Sequence, residues 1–138
     1  MLIGNAAAAL HGAPVTTLDF DFMFRNTRAN LKKLHAIAGE LGARLYVPYE
    51  LSGGMLRMQT EDYNLLVDFL SAIAGIRTFE GLRKRAKRVR VGDTEVLIAS
   101  LADIIKSKKA AGRAKDKAVL PILEQTLEEA KADSKAKA

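Results

Sequence analysis

The stretch TTLDFDF, residues 16–22, constrains this chain most, because it places Asp19 and Asp21 two apart in an apolar, β-prone run. Successive side chains of a strand point to opposite faces, so the two carboxylates project side by side while Leu18, Phe20 and Phe22 are expected to face a core. Burying a carboxylate is costly unless something compensates. Two such groups repel, and one is driven to protonate unless a cation sits between them. Hard divalent ions such as Mg²⁺ take carboxylate oxygens. A third acid, Asp68, interrupts the apolar stretch NLLVDFL at 64–70. If the two strands are neighbours, three carboxylates converge, as two-metal phosphoryl transfer requires. A bare D-x-D remains equally compatible with the solvated face of an edge strand, with Asp68 in a helix cap or a salt bridge.

The rest of the composition narrows the chemistry. With 138 residues the chain fits one domain with a core of its own. It has no cysteine, which excludes disulfides, thiol catalysis and Cys-ligated zinc. The two histidines lack metal-ligand spacing: His11 reads as a hydrogen-bonded structural residue and His35 as a surface one. No apolar run is long enough to span a bilayer, and no basic segment precedes the N-terminal apolar stretch, so a cytoplasmic protein without a membrane partner is the default. The formal net charge of +6 equals the contribution of RKRAKRVR (83–90), whose six cations are Arg83, Lys84, Arg85, Lys87, Arg88 and Arg90. The basicity is therefore local. It reads either as a solvated face that deters edge-to-edge pairing or as a landing surface for RNA or an acidic protein.

Residues 1–3 read as the end of a strand, which suggests a preceding segment that this chain lacks. GNAAAALHG (4–12) is an Ala-rich helical turn stopped by Gly12 and Pro14, and 16–25 is the acid-bearing strand. A helix over 26–42 is capped by Asn26 or Thr27, with Leu31, Leu34, Ile37, Ala38 and Leu41 at helical spacing. Strands follow at 44–49, 55–60 and 64–70, with a Gly53-Gly54 turn between the first two. A short helix over 79–86 precedes a hairpin at 88–99 that turns at Gly92-Asp93. Ser100 caps a helix reaching Ala111, with Asp103 as its capping-box acid, and a last helix spans 115–130 with Pro121 near its start. The pattern predicts a single α+β (α/β) domain over 1–130, a mixed central β-sheet flanked by helices, and a disordered polar tail at 131–138.

Just ahead of the acids, LIGNAAAALHG places a strand, a Gly-containing turn and a helix N-terminus, whose free N–H groups suit a phosphate. Strand, glycine turn, helix and D-x-D strand, with a third acid later, resembles the nucleotidyltransferases of the DNA polymerase β superfamily. IGNAAAALHGAPVTTLDFDF is similar to the G-G-x-A…H-G…R-x-T-x-D-x-D stretch of small bacterial members related to abortive-infection (type IV toxin–antitoxin) toxins. SLADIIKSKKAAGRAKDK (100–117) resembles their late helix motif through Lys108, Arg113, Lys115 and Asp116. The resemblance runs from Leu2 to about Leu127.

It implies a nucleotidyltransferase fold that moves an NMP from an NTP to an acceptor hydroxyl on a protein or RNA. Asp19, Asp21 and Asp68 would hold Mg²⁺ or Mn²⁺, and Asp68 would serve as base toward the acceptor. Gly4, Asn5 and Thr17 would lie at the nucleotide, Lys108 would neutralise phosphate charge, and Asp116 would orient Lys108 or Arg113. A structural salt bridge between Arg113 and Asp116 is the competing reading. An antitoxin partner is a further implication. Asn5 stands where relatives carry a second Gly or Ser, and Val15 where they carry Arg. A catalytically weak nucleotide-binding or protein-interaction module on the same fold is the alternative.

Overall fold

In the computed structural model, which describes residues 1–48 and 54–137, seven strands form one mixed sheet in the order β3-β4-β5-β2-β1-β7-β6. The elements in chain order begin with β1 (Leu2–Ile3), α1 (Gly4–Leu10), β2 (Phe20–Met23), α2 (Arg28–Leu41), β3 (Ala43–Tyr46) and β4 (Met55–Thr60). They continue with β5 (Leu66–Leu70), α3 (Phe79–Lys84), β6 (Lys87–Val91), β7 (Thr94–Ile98), α4 (Leu101–Ala111) and α5 (Ala114–Lys137). β2 runs parallel to β5, β1 parallel to β7, and the remaining neighbours pair antiparallel. This is the mixed α+β architecture that the alternation of apolar patterns predicts. No helix among the described residues is long and apolar enough to cross a membrane.

Two apolar clusters cover the sheet. The larger joins Leu2, Ile3, Ala7 and Ala8 to Leu82, Ile98, Ile104, Ile105 and Leu123, and so packs α1, α3, α4 and α5 around the central strands. The smaller sets Ala38 of α2 against Met58 and Val67, with Phe22 and Phe69 at its margin. The rings of Phe22 and Phe69 stack at 5.7 Å between centroids. Short polar caps place the helices: the Thr27 hydroxyl accepts from the Asn30 amide, and the Ser100 hydroxyl accepts from the Asp103 amide at 3.1 Å. His11 Nε2 meets the Ala99 carbonyl oxygen at 2.7 Å, pinning the end of α1 to the strand-end it follows in space.

Several boundaries differ from the sequence expectation. The acid strand is short: pairing with β5 starts at Phe20, and 16–19 form an irregular loop. There the Thr17 hydroxyl donates to the Asp19 carbonyl and accepts from the Asp19 amide, a local bond that competes with the sheet ladder. Leu18 is consequently 93% exposed and Phe20 41% exposed, rather than facing a core. β3 ends at Tyr46 instead of 49, and Tyr49 and Gly53 of the expected strand end and turn lie outside the described residues. The last helix continues to Lys137, where a structureless tail was expected from 131. Ala, Lys and Glu carry strong helix propensity, and Lys131 pairs with Glu128 at 3.7 Å. The basic run divides between the end of α3 and the edge strand β6, whose Lys87, Arg88 and Arg90 are exposed.

Candidate active site

Strand register builds the centre of the site. Ile3 on β1 is level with Asp21 on β2, Asp21 with Asp68 on β5, Asp68 with Arg57 on β4, and Arg57 with Tyr46 on β3. Level residues of adjacent strands project to the same face. The alternate positions Phe22, Val67, Phe69 and Met58 pack beneath α2, so the row Asp21–Asp68–Arg57–Tyr46 lies on the opposite face. That face opens into a cavity of about 650 Å³.

The cavity gathers every residue that the sequence singles out for the site: Asp19, Asp21, Asp68, Gly4, Asn5, Thr17, Lys108, Arg113 and Asp116 all line it. Asp21 is half-buried, and its carboxyl is raised above the ordinary carboxylate range. Burial is the main cause, followed by the charges of Asp68 and Asp19, while Lys115 and Lys108 oppose the shift. Gly4 explains how the chain comes so near this acid. Its φ is +66°, and a Cβ there would lie 3.2 Å from Asp21 Oδ2, so a side chain would be both strained and pressed on the carboxylate. Beside it, the Asn5 Oδ1 is buried and has no hydrogen-bond partner among the described residues. Buried polar atoms are rarely left so, and this one is available to a ligand or water in the cavity.

Lys108 on α4, Arg113 at the α4–α5 junction and Lys115 at the start of α5 bring cations to the cavity. Asp116 is 1% exposed and receives three bonds from Arg113: Nε to Oδ2 at 2.7 Å, Nη2 to Oδ1 at 3.3 Å and the backbone amide to Oδ2 at 3.2 Å. Burial disfavours its charge, but those bonds and the nearby Lys108 outweigh it and hold the carboxyl below the usual range. The Lys108 ammonium stands 3.8 Å from Asp116 Oδ1. Its pKa is lowered, chiefly by burial, against the pull of Asp116 and Asp21. Arg113 and Asp116 therefore close the α4–α5 junction and at the same time face the cavity. The structural reading and the orienting one describe the same bonds.

Two arginine partners were not named from the sequence. Arg57 donates from Nε to Asp68 Oδ1 at 2.8 Å and from Nη2 to Asp68 Oδ2 at 3.1 Å. Asp68 thus takes the salt-bridge option while still standing level with Asp21. The signal was present: Arg57 interrupts the apolar stretch MLRMQT as Asp68 interrupts NLLVDFL. Asp103, besides its capping role, is bound by Arg85 Nε at 2.7 Å, so one cation of the basic run serves the fold.

The three acids are not assembled into one ligand cage. Among the described residues no group of three His, Cys, Asp or Glu side chains is placed to hold a metal ion. Asp19 lies in the exposed loop before β2, and both oxygens of Asp68 are engaged by Arg57. The donor chemistry at Asp19 and Asp21 nevertheless suits a hard cation, because both are carboxylates and the charge on Asp21 is opposed by its acidic neighbours.

The strand–turn–helix at Gly4, the parallel pair β2–β5 and the mixed sheet around them define a nucleotidyltransferase fold. The structure is similar to the lincomycin-bound crystal structure of the lincosamide antibiotic adenylyltransferase LnuA, with a TM-score of 0.63 over 91% of this chain and 85% of that one. Sequence identity between the two is 11%, so the likeness is one of fold. No protein-family model matches the chain, and no sequence among the curated proteins does.

Proposed function

We propose that this chain transfers an NMP from an NTP to a hydroxyl group of a protein or RNA acceptor. The observation that carries this reading is the level placement of Asp21 and Asp68 on adjacent parallel strands, beside the Gly4 turn and across a cavity from Lys108. In the reaction the acceptor oxygen attacks the α-phosphorus, its bond to phosphorus forms as the bond to the bridging oxygen of the β-phosphate breaks, and pyrophosphate leaves. Asp68 takes the acceptor proton. Gly4 and Asn5 bind the phosphates, Thr17 holds the loop that presents Asp19, and Lys108 and Arg113 offset negative charge. Asp19 and Asp21 would hold Mg²⁺ or Mn²⁺, which supplies charge neutralisation at the triphosphate when bound. The sequence likeness to abortive-infection toxins extends the proposal to a toxin-like component restrained by an antitoxin partner.

A second reading, a nucleotide-binding or interaction module with little turnover, is favoured by one observation: both oxygens of the proposed base are engaged by Arg57. The two readings separate when the protein is incubated with each α-³²P-labelled NTP, Mg²⁺ or Mn²⁺, and cell extract. Label transfer that Asp19→Ala abolishes supports the enzyme. Saturable Mg-NTP binding with no transfer supports the module.

A further inference from the structure

We infer that Arg57 is a positioning residue for Asp68, fixing the plane of its carboxylate toward the acceptor side of the cavity. This rests on the transferase reading above and deepens it. The pair is mostly covered, with side-chain exposures of 27% for Arg57 and 12% for Asp68. Its bidentate fork is the geometry that most restricts a carboxylate's orientation. An ionised carboxylate offers about four lone-pair sites, so a fork that takes one on each oxygen leaves others facing the cavity. On the side away from Asp68, Arg57 stands level with Tyr46 of β3. Its register partner Tyr46 donates its hydroxyl to Gln59 Oε1 at 2.6 Å, and the Arg44 guanidinium lies 5.4 Å from the Tyr46 ring centre.

The other two buried acids with arginine partners, Asp103 and Asp116, sit in the first turns of α4 and α5, where the pairing secures a helix start. Asp68 lies in mid-strand and caps nothing. Its neighbour on β2 is another carboxylate, Asp21, which repels it, and Arg57 on β4 is the cation bonded to it on the opposite side. Strand order also separates the two duties of the site. Gly4, Asn5 and Asp21 lie toward β1 and β2, whereas Arg57 lies beyond Asp68 on β4. Loss of Arg57 should therefore slow transfer and leave nucleotide binding intact.

The test compares wild type, Arg57→Gln, Arg57→Lys, Asp68→Asn and the Arg57→Gln/Asp68→Asn double variant. Calorimetric binding of a non-hydrolysable analogue of the NTP that the wild type uses, with Mg²⁺, is measured beside single-turnover transfer from that labelled NTP. Arg57→Gln is expected to slow transfer about 10–100-fold, the range for residues that orient a reacting group, with analogue affinity within about twofold. Arg57→Lys, which keeps the charge and loses the fork, should fall between wild type and Arg57→Gln and remains informative if the Gln variant does not fold. The double variant should be no slower than Asp68→Asn alone. Transfer by Arg57→Gln or Arg57→Lys at the wild-type rate overturns the inference, as does a loss of analogue binding in proportion to transfer. A wild-type chain that binds the analogue and transfers nothing overturns the underlying transferase reading, and Arg57's role with it.

Discussion

Asp21 and Asp68 stand level on the adjacent parallel strands β2 and β5, and the Asp68 carboxylate is held on its other side by Arg57. Two like charges face each other across one strand spacing, and only one of them has a fork-bonded cation. The imbalance explains why the Asp21 carboxyl is raised, after burial itself. The fold therefore opposes the charge on Asp21.

Asp21→Asn should therefore raise the melting temperature at pH 7 while abolishing transfer. A carboxyl whose folded pKa lies above its unfolded value stabilises the fold when protonated, and that contribution is lost as pH rises through the folded pKa. The stability gain of Asp21→Asn should accordingly vanish below about pH 4, where the acid is neutral in both states. Thermal melts from pH 3 to pH 8 check the sign, and a variant less stable than wild type at pH 7 contradicts it.

Asp116 behaves oppositely, because Arg113 and Lys108 hold its carboxyl below the usual range against burial. Asp116→Asn should destabilise by about 2–4 kcal/mol at pH 7, slightly less than a fully buried broken pair because the Arg113 side chain is 60% exposed. The deficit should shrink as pH falls through the folded pKa, where the wild-type group protonates as well. Urea unfolding at pH 7 and at pH 3 measures both.

Gly4→Ala should cost about 1–2 kcal/mol for the left-handed backbone alone. The new Cβ would also press on Asp21 Oδ2, so transfer should fall further than stability predicts. Gly75→Ala offers the control away from the acids. Its φ is +74° and its Cβ would lie 2.8 Å from Ala110 Cβ, so it should destabilise without changing Mg-NTP affinity at temperatures where the fold is intact.

Removing residues 131–138 should lower the helical circular dichroism signal while leaving the free energy of unfolding within about 0.5 kcal/mol. Residues 131–137 are helical but exposed, and the last α5 side chain packed on the core cluster is Leu127. A truncated chain that unfolds several degrees earlier would show that the end of α5 is held by contacts beyond its own turns.

Local chemistry was the legible part. The caps Thr27 and Ser100 and the hairpin around Gly92 depend on residues within a turn or two of one another, and each is found where the pattern places it. Of the apolar positions expected on α2, by contrast, Leu34 and Ala38 are buried and Ile37 and Leu41 are exposed. The misread pieces are those where neighbours distant in the chain, or masked competition from a side chain, decide. Thr17 bonds to Asp19 and ends the strand early, which turns Leu18 outward. The tail composition was read as disorder, although its Ala and Lys residues extend a helix already nucleated by packed turns.

By itself the sequence determined that Asp21 and Asp68 are acids inside apolar strands, because side-chain direction follows from local backbone period; the strand it extended back to Asp19 begins only at Phe20. It also determined that a glycine turn and a short helix lie just upstream. Only the tertiary structure decided that β5 pairs with β2 in the register that levels Asp68 with Asp21, and that β4 brings Arg57 level with Asp68. Which strands become neighbours depends on burying α2 on one face and α1 and α4 around the other strands, a balance over the whole core. Period sets where a side chain points, and packing sets what it meets.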